Sequence, residues 1–214
     1  MCKKVLVLSD RRNGDHYLDT LSDEFIRGAQ ESGHERAGKI YLSDWGQCIN
    51  HCTHFVCISV DNHTCGAQWK KLYDMIAEAD IVVITSSSHR FSQHAEKVYR
   101  CILEFQKTHG KLRNKTAYLI VSTPMIPFTY LVPNDAILDR FREYIGSFEN
   151  IQEGGHLFVL APSVSDTIKK EQAMQRAYEM GKGTEKERPP ILRGVRKFFG
   201  QFFATNGGTQ GSRG

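Results

Sequence analysis

Short apolar runs alternate along this chain with stretches of helical spacing. The runs fall at 5–8, 39–42, 81–84, 117–121 and 157–160. The last three are continuous rather than alternating, as expected of strands buried on both faces. Between the runs, apolar residues recur at intervals of three and four. The stripes are Leu18, Leu21, Phe25, Ile26 and Ala29; Trp69, Leu72, Tyr73 and Ile76; Val98, Cys101, Ile102 and Phe105; Ile137, Leu138, Phe141, Tyr144, Ile145 and Phe148; and Ile168, Ala173, Ala177 and Met180. Each predicts an amphipathic helix. Pro133-Asn134 is a start signal for the fourth, Gly146 weakens its end, and Gly181 is a stop signal for the fifth. Strand–helix alternation of this kind predicts an α/β fold, a three-layer sandwich in which a five-stranded parallel sheet carries helices on both faces.

Ligands of such sheets bind beyond the carboxyl ends of the strands, near the point where strand order reverses. The loops after the first, third and fourth runs are therefore the ones that carry chemistry. The first is Ser9-Asp10-Arg11-Arg12-Asn13-Gly14-Asp15-His16. It leads from a strand into a helix, whose free N–H groups and positive dipole end attract anions. Ser9, Arg11 and Asn13 add side-chain donors. Asp10 and Asp15 would repel a phosphate, and Arg11 and Arg12 offset that repulsion. The plainer alternative is a solvated turn that only starts a helix.

The second loop is Thr85-Ser86-Ser87-Ser88-His89-Arg90-Phe91-Ser92, with four consecutive hydroxyls. Such a row suits the polar edge of a planar ligand, with His89 or Phe91 stacking on its face. It equally suits a Ser-rich turn that caps the next helix. The third loop, 122–130, holds Thr123, Pro124, Met125, Ile126, Pro127, Phe128 and Tyr130. A loop this apolar lines a pocket or a subunit contact.

Composition narrows the setting. Of the net charge of +4, all resides in residues 184–214, which hold six basic and two acidic side chains; the rest is neutral, with 22 of each. A neutral body gives no reason to expect nucleic acid as a partner. No run reaches the roughly 20 apolar residues of a membrane span, and nothing near Met1 resembles a signal peptide. The expectation is a soluble, cytoplasmic protein whose six cysteines are thiols or metal ligands rather than disulfides. Four of the six, Cys48, Cys52, Cys57 and Cys65, fall with His51, His54 and His63 in one short stretch. Ligands this dense can hold Zn²⁺ or an iron–sulfur cluster, although the spacing is neither that of a zinc ribbon nor that of a compact four-iron site. The alternative is a structural loop. Cys2 and Cys101 read as buried apolar fillers.

The first two of these loops, with the order of the elements, resemble those of the flavodoxin-like NAD(P)H-dependent FMN reductases, including their iron–sulfur flavoprotein branch. That family opens with a strand and a loop of the form G-S-P-R-x-x-G-N-T. Ser9, Arg11 and Gly14 match it; Asp10, Asp15 and His16 stand for its Pro, Asn and Thr, and the preceding Gly is absent. Its second flavin loop, S-P-V-Y-F-G-S before a helix containing Lys, corresponds to 85–92 and Lys97 without the Pro and Gly. Cys57-Ile58-Ser59-Val60-Asp61 resembles the last Cys and first acid of the branch's cluster motif. The resemblance covers about residues 3–181. It implies FMN as cofactor, with Ser9, Arg11, Asn13, Gly14 and His16 at its phosphate, Ser86, Ser87, Ser88 and His89 along its ring, and Thr123 as a further cofactor contact. It also implies NAD(P)H as donor, a small-molecule or protein electron acceptor, and a homodimer or homotetramer. It names no catalytic acid or base. The competing expectation is a protein of this fold that has lost flavin and serves as a binding module or carries metal at Cys48, Cys52, Cys57 and Cys65.

Residues 1–183 are expected to form the flavodoxin-like domain. Thr184 opens a polar, Pro-containing linker. Ile191, Leu192, Val195, Phe198, Phe199, Phe202 and Phe203 then share one face of a predicted 191–203 helix, against Arg193, Arg196, Lys197 and Gln201 on the other. That pattern suits a groove on this chain or on a subunit partner, and it suits peripheral contact with a membrane.

Overall fold

The computed structural model describes residues 2–9, 16–42, 64–87, 99, 102–103, 106–107, 109–110, 112–123, 134–161 and 166–183. The described elements are five strands, β1 (Lys4–Ser9), β2 (Glu35–Tyr41), β3 (Ile81–Ser87), β4 (Arg113–Thr123) and β5 (Glu149–Leu160), and helices α1 (His16–Glu31) after β1, α2 (Thr64–Glu78) after β2, α3 (Asn134–Gly146) after β4 and α4 (Thr167–Gly181) after β5. The strands form one parallel sheet in the order β2-β1-β3-β4-β5. The predicted three-layer α/β sandwich is present.

Alternation along each strand divides the core between the two faces of the sheet. Val5 and Val7 of β1 and Ile81 and Val83 of β3 pack with Leu18, Leu21 and Phe25 of α1 and Ala177 and Met180 of α4. On the opposite face, Leu6, Leu8 and Val82 meet Leu72, Tyr73 and Ile76 of α2. Ala117, Leu119 and Val121 of β4 meet Ile137, Phe141 and Tyr144 of α3. This second layer keeps an apolar cavity of about 70 Å³, bordered by Leu8, Ile76, Ile84, Ala117, Tyr144 and Phe148. The stem of Lys115 also borders it. The Lys115 amine donates to Ala77 O (2.8 Å) and Ala79 O (2.5 Å), satisfying carbonyls at the end of α2.

On the first face α1 and α4 approach closely. A Cβ on Gly28 would lie 2.0 Å from Tyr178 O, and one on Gly181 would lie 2.1 Å from Phe25 O. Gly181 does end α4, as its stop signal predicts, but its position is also demanded by the neighbouring helix.

The edges of the sheet exceed the apolar runs. β2 starts at Glu35 rather than 39, and β5 starts at Glu149 rather than 157. Both are edge strands, half-exposed, so polar side chains interrupt the apolar signal. In β5, Glu153 accepts from Arg142 of α3 (Nε, 2.7 Å) and pairs with His156 (Nδ1, 3.0 Å). Burial works to raise the Glu153 pKa, but the bonds from Arg142 and His156 outweigh it and hold the carboxyl below the usual carboxylate range.

Cys2 is exposed, not the buried filler expected of it. It precedes β1, and the core begins only at Val5. Cys101, most of the 98–105 stripe, the 122–130 loop beyond Thr123 and the whole of 184–214 lie outside the described residues. Among the described residues no helix is long and apolar enough to cross a membrane.

Candidate functional site

β1 lies between β2 and β3, so the chain leaves it to one side and returns on the other. The carboxyl ends of β1 and β3 therefore flank the point where strand order reverses, the usual ligand crevice of an open parallel sheet. The hydrophobic strands end there in hydroxyls. Ser9, Thr85, Ser86, Ser87, Ser122 and Thr123 are all buried. Parallel register sets Ser9 beside Thr85 and Ser87 beside Ser122.

Ser9 follows Val5 and Val7 on the α1 face, and Thr85 follows Ile81 and Val83 on the same face. Both are 0% exposed. Neither the Ser9 Oγ nor the Thr85 Oγ1 has a hydrogen-bond partner among the described residues. A buried hydroxyl without a partner costs about 1–3 kcal/mol, so two side by side single out this edge as a candidate ligand contact. Tyr17, in the first turn of α1, adds a third buried hydroxyl with no partner among the described residues, and burial raises its pKa. By contrast Ser86 Oγ donates to Ser87 O (3.2 Å). Thr123 O accepts from Ala161 N (2.7 Å), which holds the ends of β4 and β5 together.

His16 opens α1, at the same end of the sheet. Its carbonyl accepts from the Thr20 hydroxyl (2.9 Å). Asp19 lies in the first turn and is nearly buried; Lys39 of β2 reaches it (Nζ to Oδ1, 2.9 Å) and also reaches Asp23 (3.0 Å). The Lys39 amine donates to Asp19 O as well (3.3 Å). Burial would lower the Lys39 pKa, but the two carboxylates raise it above the ordinary value, so it carries a full charge.

Of the site residues read from sequence, the fold brings Ser9, Ser86, Ser87 and Thr123 to one edge and starts α1 there with His16. Arg11, Asn13, Gly14, Ser88 and His89 lie outside the described residues, as do Cys48, Cys52 and Cys57. Cys65 falls in the first turn of α2 rather than in the loop expected to hold it, with its side chain outside the described residues. Among the described residues no three His, Cys, Asp or Glu side chains converge to hold a metal ion. Thr85 stands in the hydroxyl row legible in the sequence, whereas Ser122 and the Lys39–Asp19 pair are not singled out there. The signal for that pair is a lysine opening an otherwise apolar strand run.

The buried hydroxyls at the carboxyl ends of β1 and β3, at the end of the sheet where α1 starts, suit a polar, anionic ligand. Ser9 and Thr85 supply donors with no competing partner among the described residues, and the helix end supplies positive potential.

Neither a protein-family model nor a curated protein matches the sequence. Solved structures do match the fold. An NAD(P)H:quinone oxidoreductase from Methanothermobacter marburgensis superposes with a TM-score of 0.62 at 12% identity, over 88% of this chain and 100% of that one. An NADH:FMN oxidoreductase, solved in its apo form, gives 0.56 at 12%, over 87% and 92%. An azoreductase from Bacillus anthracis gives 0.55 at 13%, over 86% and 100%. At such identities the likeness is one of fold. The domain has the flavodoxin-like fold that these reductases share.

Proposed function

We propose that this flavodoxin-like protein is an FMN-dependent NAD(P)H oxidoreductase that passes electrons to a small molecule or a protein. The observation that carries this reading is the adjacent pair Ser9 and Thr85, two buried hydroxyls without partners among the described residues, at the strand-order switch point. The reductases of the same fold, among them one named for FMN, support it.

On this reading FMN supplies the redox chemistry when bound, accepting hydride from the nicotinamide and giving electrons to the acceptor. The chain binds and orients it. Ser9, Arg11, Asn13, Gly14 and His16 hold the phosphate at the start of α1, and Thr85 joins Ser9 there. Ser86, Ser87, Ser88, His89 and Thr123 line the ring and exclude water from its edge. No side chain is assigned as a catalytic acid or base. A homodimer or homotetramer is the assembly proposed with this activity.

The test is reconstitution. The purified full chain, incubated with FMN and desalted, is expected to keep an absorbance band near about 450 nm and to oxidise NADH or NADPH in the presence of a quinone or azo dye. A colourless protein that rejects FMN overturns the reading. Asp10 and Asp15, both anionic in the phosphate loop, motivate the contrary reading of a flavin-free module. Iron or zinc content that falls in a Cys48→Ser, Cys52→Ser double variant would support that module.

A further inference from the structure

Asp19 sets a problem for an anion site. Its carboxylate lies in the first turn of α1, which starts at the same end of the sheet as the Ser9 and Thr85 hydroxyls, neither of which has a partner among the described residues. A carboxylate there favours the helix but opposes a second anion at the same end. Asp23, one turn further along, adds another charge on the same face. Burial makes matters worse for Asp19, because a buried charge is little screened by salt.

Lys39 answers both carboxylates. Its side chain is only 5% exposed, and its amine lies 2.9 Å from Asp19 Oδ1 and 3.0 Å from Asp23 Oδ1. It stands in β2, opposite Val7 of β1, so the sheet itself holds it under the helix start. Resting on the FMN reading above, we infer that Lys39 is a positioning residue for phosphate recognition: by neutralising Asp19 it keeps the start of α1 open to a dianion without touching that dianion. The three side chains together carry one negative charge; without Lys39 they carry two.

The inference separates phosphate from ring. FMN and riboflavin share the isoalloxazine and differ in the phosphate, so only FMN senses the charge. The experiment measures both dissociation constants by fluorescence quenching, on the full chain, at low salt. Lys39→Met is expected to weaken FMN about five- to tenfold and to leave riboflavin within about twofold. Lys39→Arg is expected to bind FMN as the parent chain does. Asp19→Asn, which keeps the lysine and avoids an unpaired buried charge, is expected to match or exceed the parent for FMN. Equal weakening of both flavins in Lys39→Met, no change in either, or weaker FMN binding by Asp19→Asn overturns the inference while leaving the flavin reading intact. A parent chain that binds neither flavin overturns the flavin reading and this inference with it.

Discussion

Gly28 of α1 and Gly181 of α4 each occupy a place where the other helix's backbone leaves no room for a Cβ, with Tyr178 O at 2.0 Å and Phe25 O at 2.1 Å from where it would stand. The two glycines let the helices meet backbone to backbone over the β1–β3 face. Alanine at an exposed helix position would gain about 1 kcal/mol in propensity. Here Gly28→Ala or Gly181→Ala is expected to cost a net of about 2–3 kcal/mol, because carbonyl oxygens rather than flexible side chains must move. Urea unfolding of each variant measures it; a variant as stable as the parent would refute the close contact.

The Ser9–Thr85 pair predicts a trade between stability and binding. Ser9→Ala and Thr85→Val each remove a buried hydroxyl that has no partner among the described residues. Without flavin, each variant is expected to be more stable by about 1 kcal/mol. With FMN, each is expected to bind about five- to tenfold more weakly. Thermal unfolding with and without FMN reads both effects, and a variant that loses stability while binding FMN as before contradicts the assignment.

Glu153 ties β5 to α3 through Arg142. Its folded-state pKa lies below the ordinary 4.5, so its contribution is fully present above that value and is lost as pH falls through the lowered one. Glu153→Gln is expected to cost about 0.5–1 kcal/mol at neutral pH, given the partial exposure of the pair. The gap to the parent should close as pH falls below the ordinary carboxylate range. Denaturant curves at several pH values test the sign; a gap that widens on acidification would contradict it.

The apolar cavity beside Ala117 offers the opposite kind of change. Ala117 is buried in β4 and borders about 70 Å³ of unfilled space. Ala117→Val adds two methyl groups to a site that already prefers β-branched residues, with an expected gain of about 1 kcal/mol. Loss of stability in the chemical-denaturation curve would show that the space does not accept them.

These contacts also explain which parts of the structure can be read from the residues alone. Ile81, Val82 and Val83 are apolar without interruption because helices cover both faces of β3, and that run announces a central strand. Glu149-Asn150-Ile151-Gln152 belongs to a strand as well, but at an exposed edge the core imposes no pattern on it. The hydroxyl row at 85–88 stands out as a ligand edge, whereas the partnership of Ser9 with Thr85 does not, since it depends on how two distant strands align. Gly181 reads as a helix stop, and only the packed helices reveal why Gly28 must be small too. The Lys39–Asp19 pair is hidden for the same reason: one partner lies on a helix and the other on a strand, and local spacing does not join them.

The pairing of Ser9 with Thr85 has a kinetic side. The first of these residues is made early in the chain, and the second arrives only after α1, β2 and α2 have been threaded between them. β1 cannot acquire its β3 neighbour until that long loop has closed, an entropic cost that slows the folding of parallel sheets. A ligand gripped by both hydroxyls would bind only after closure and so act as a latch on its last step. At a hundredfold excess over its dissociation constant such a latch adds about 2.7 kcal/mol to the unfolding free energy. Cells short of the ligand would then hold a larger unfolded fraction of this protein, and its abundance would follow the supply.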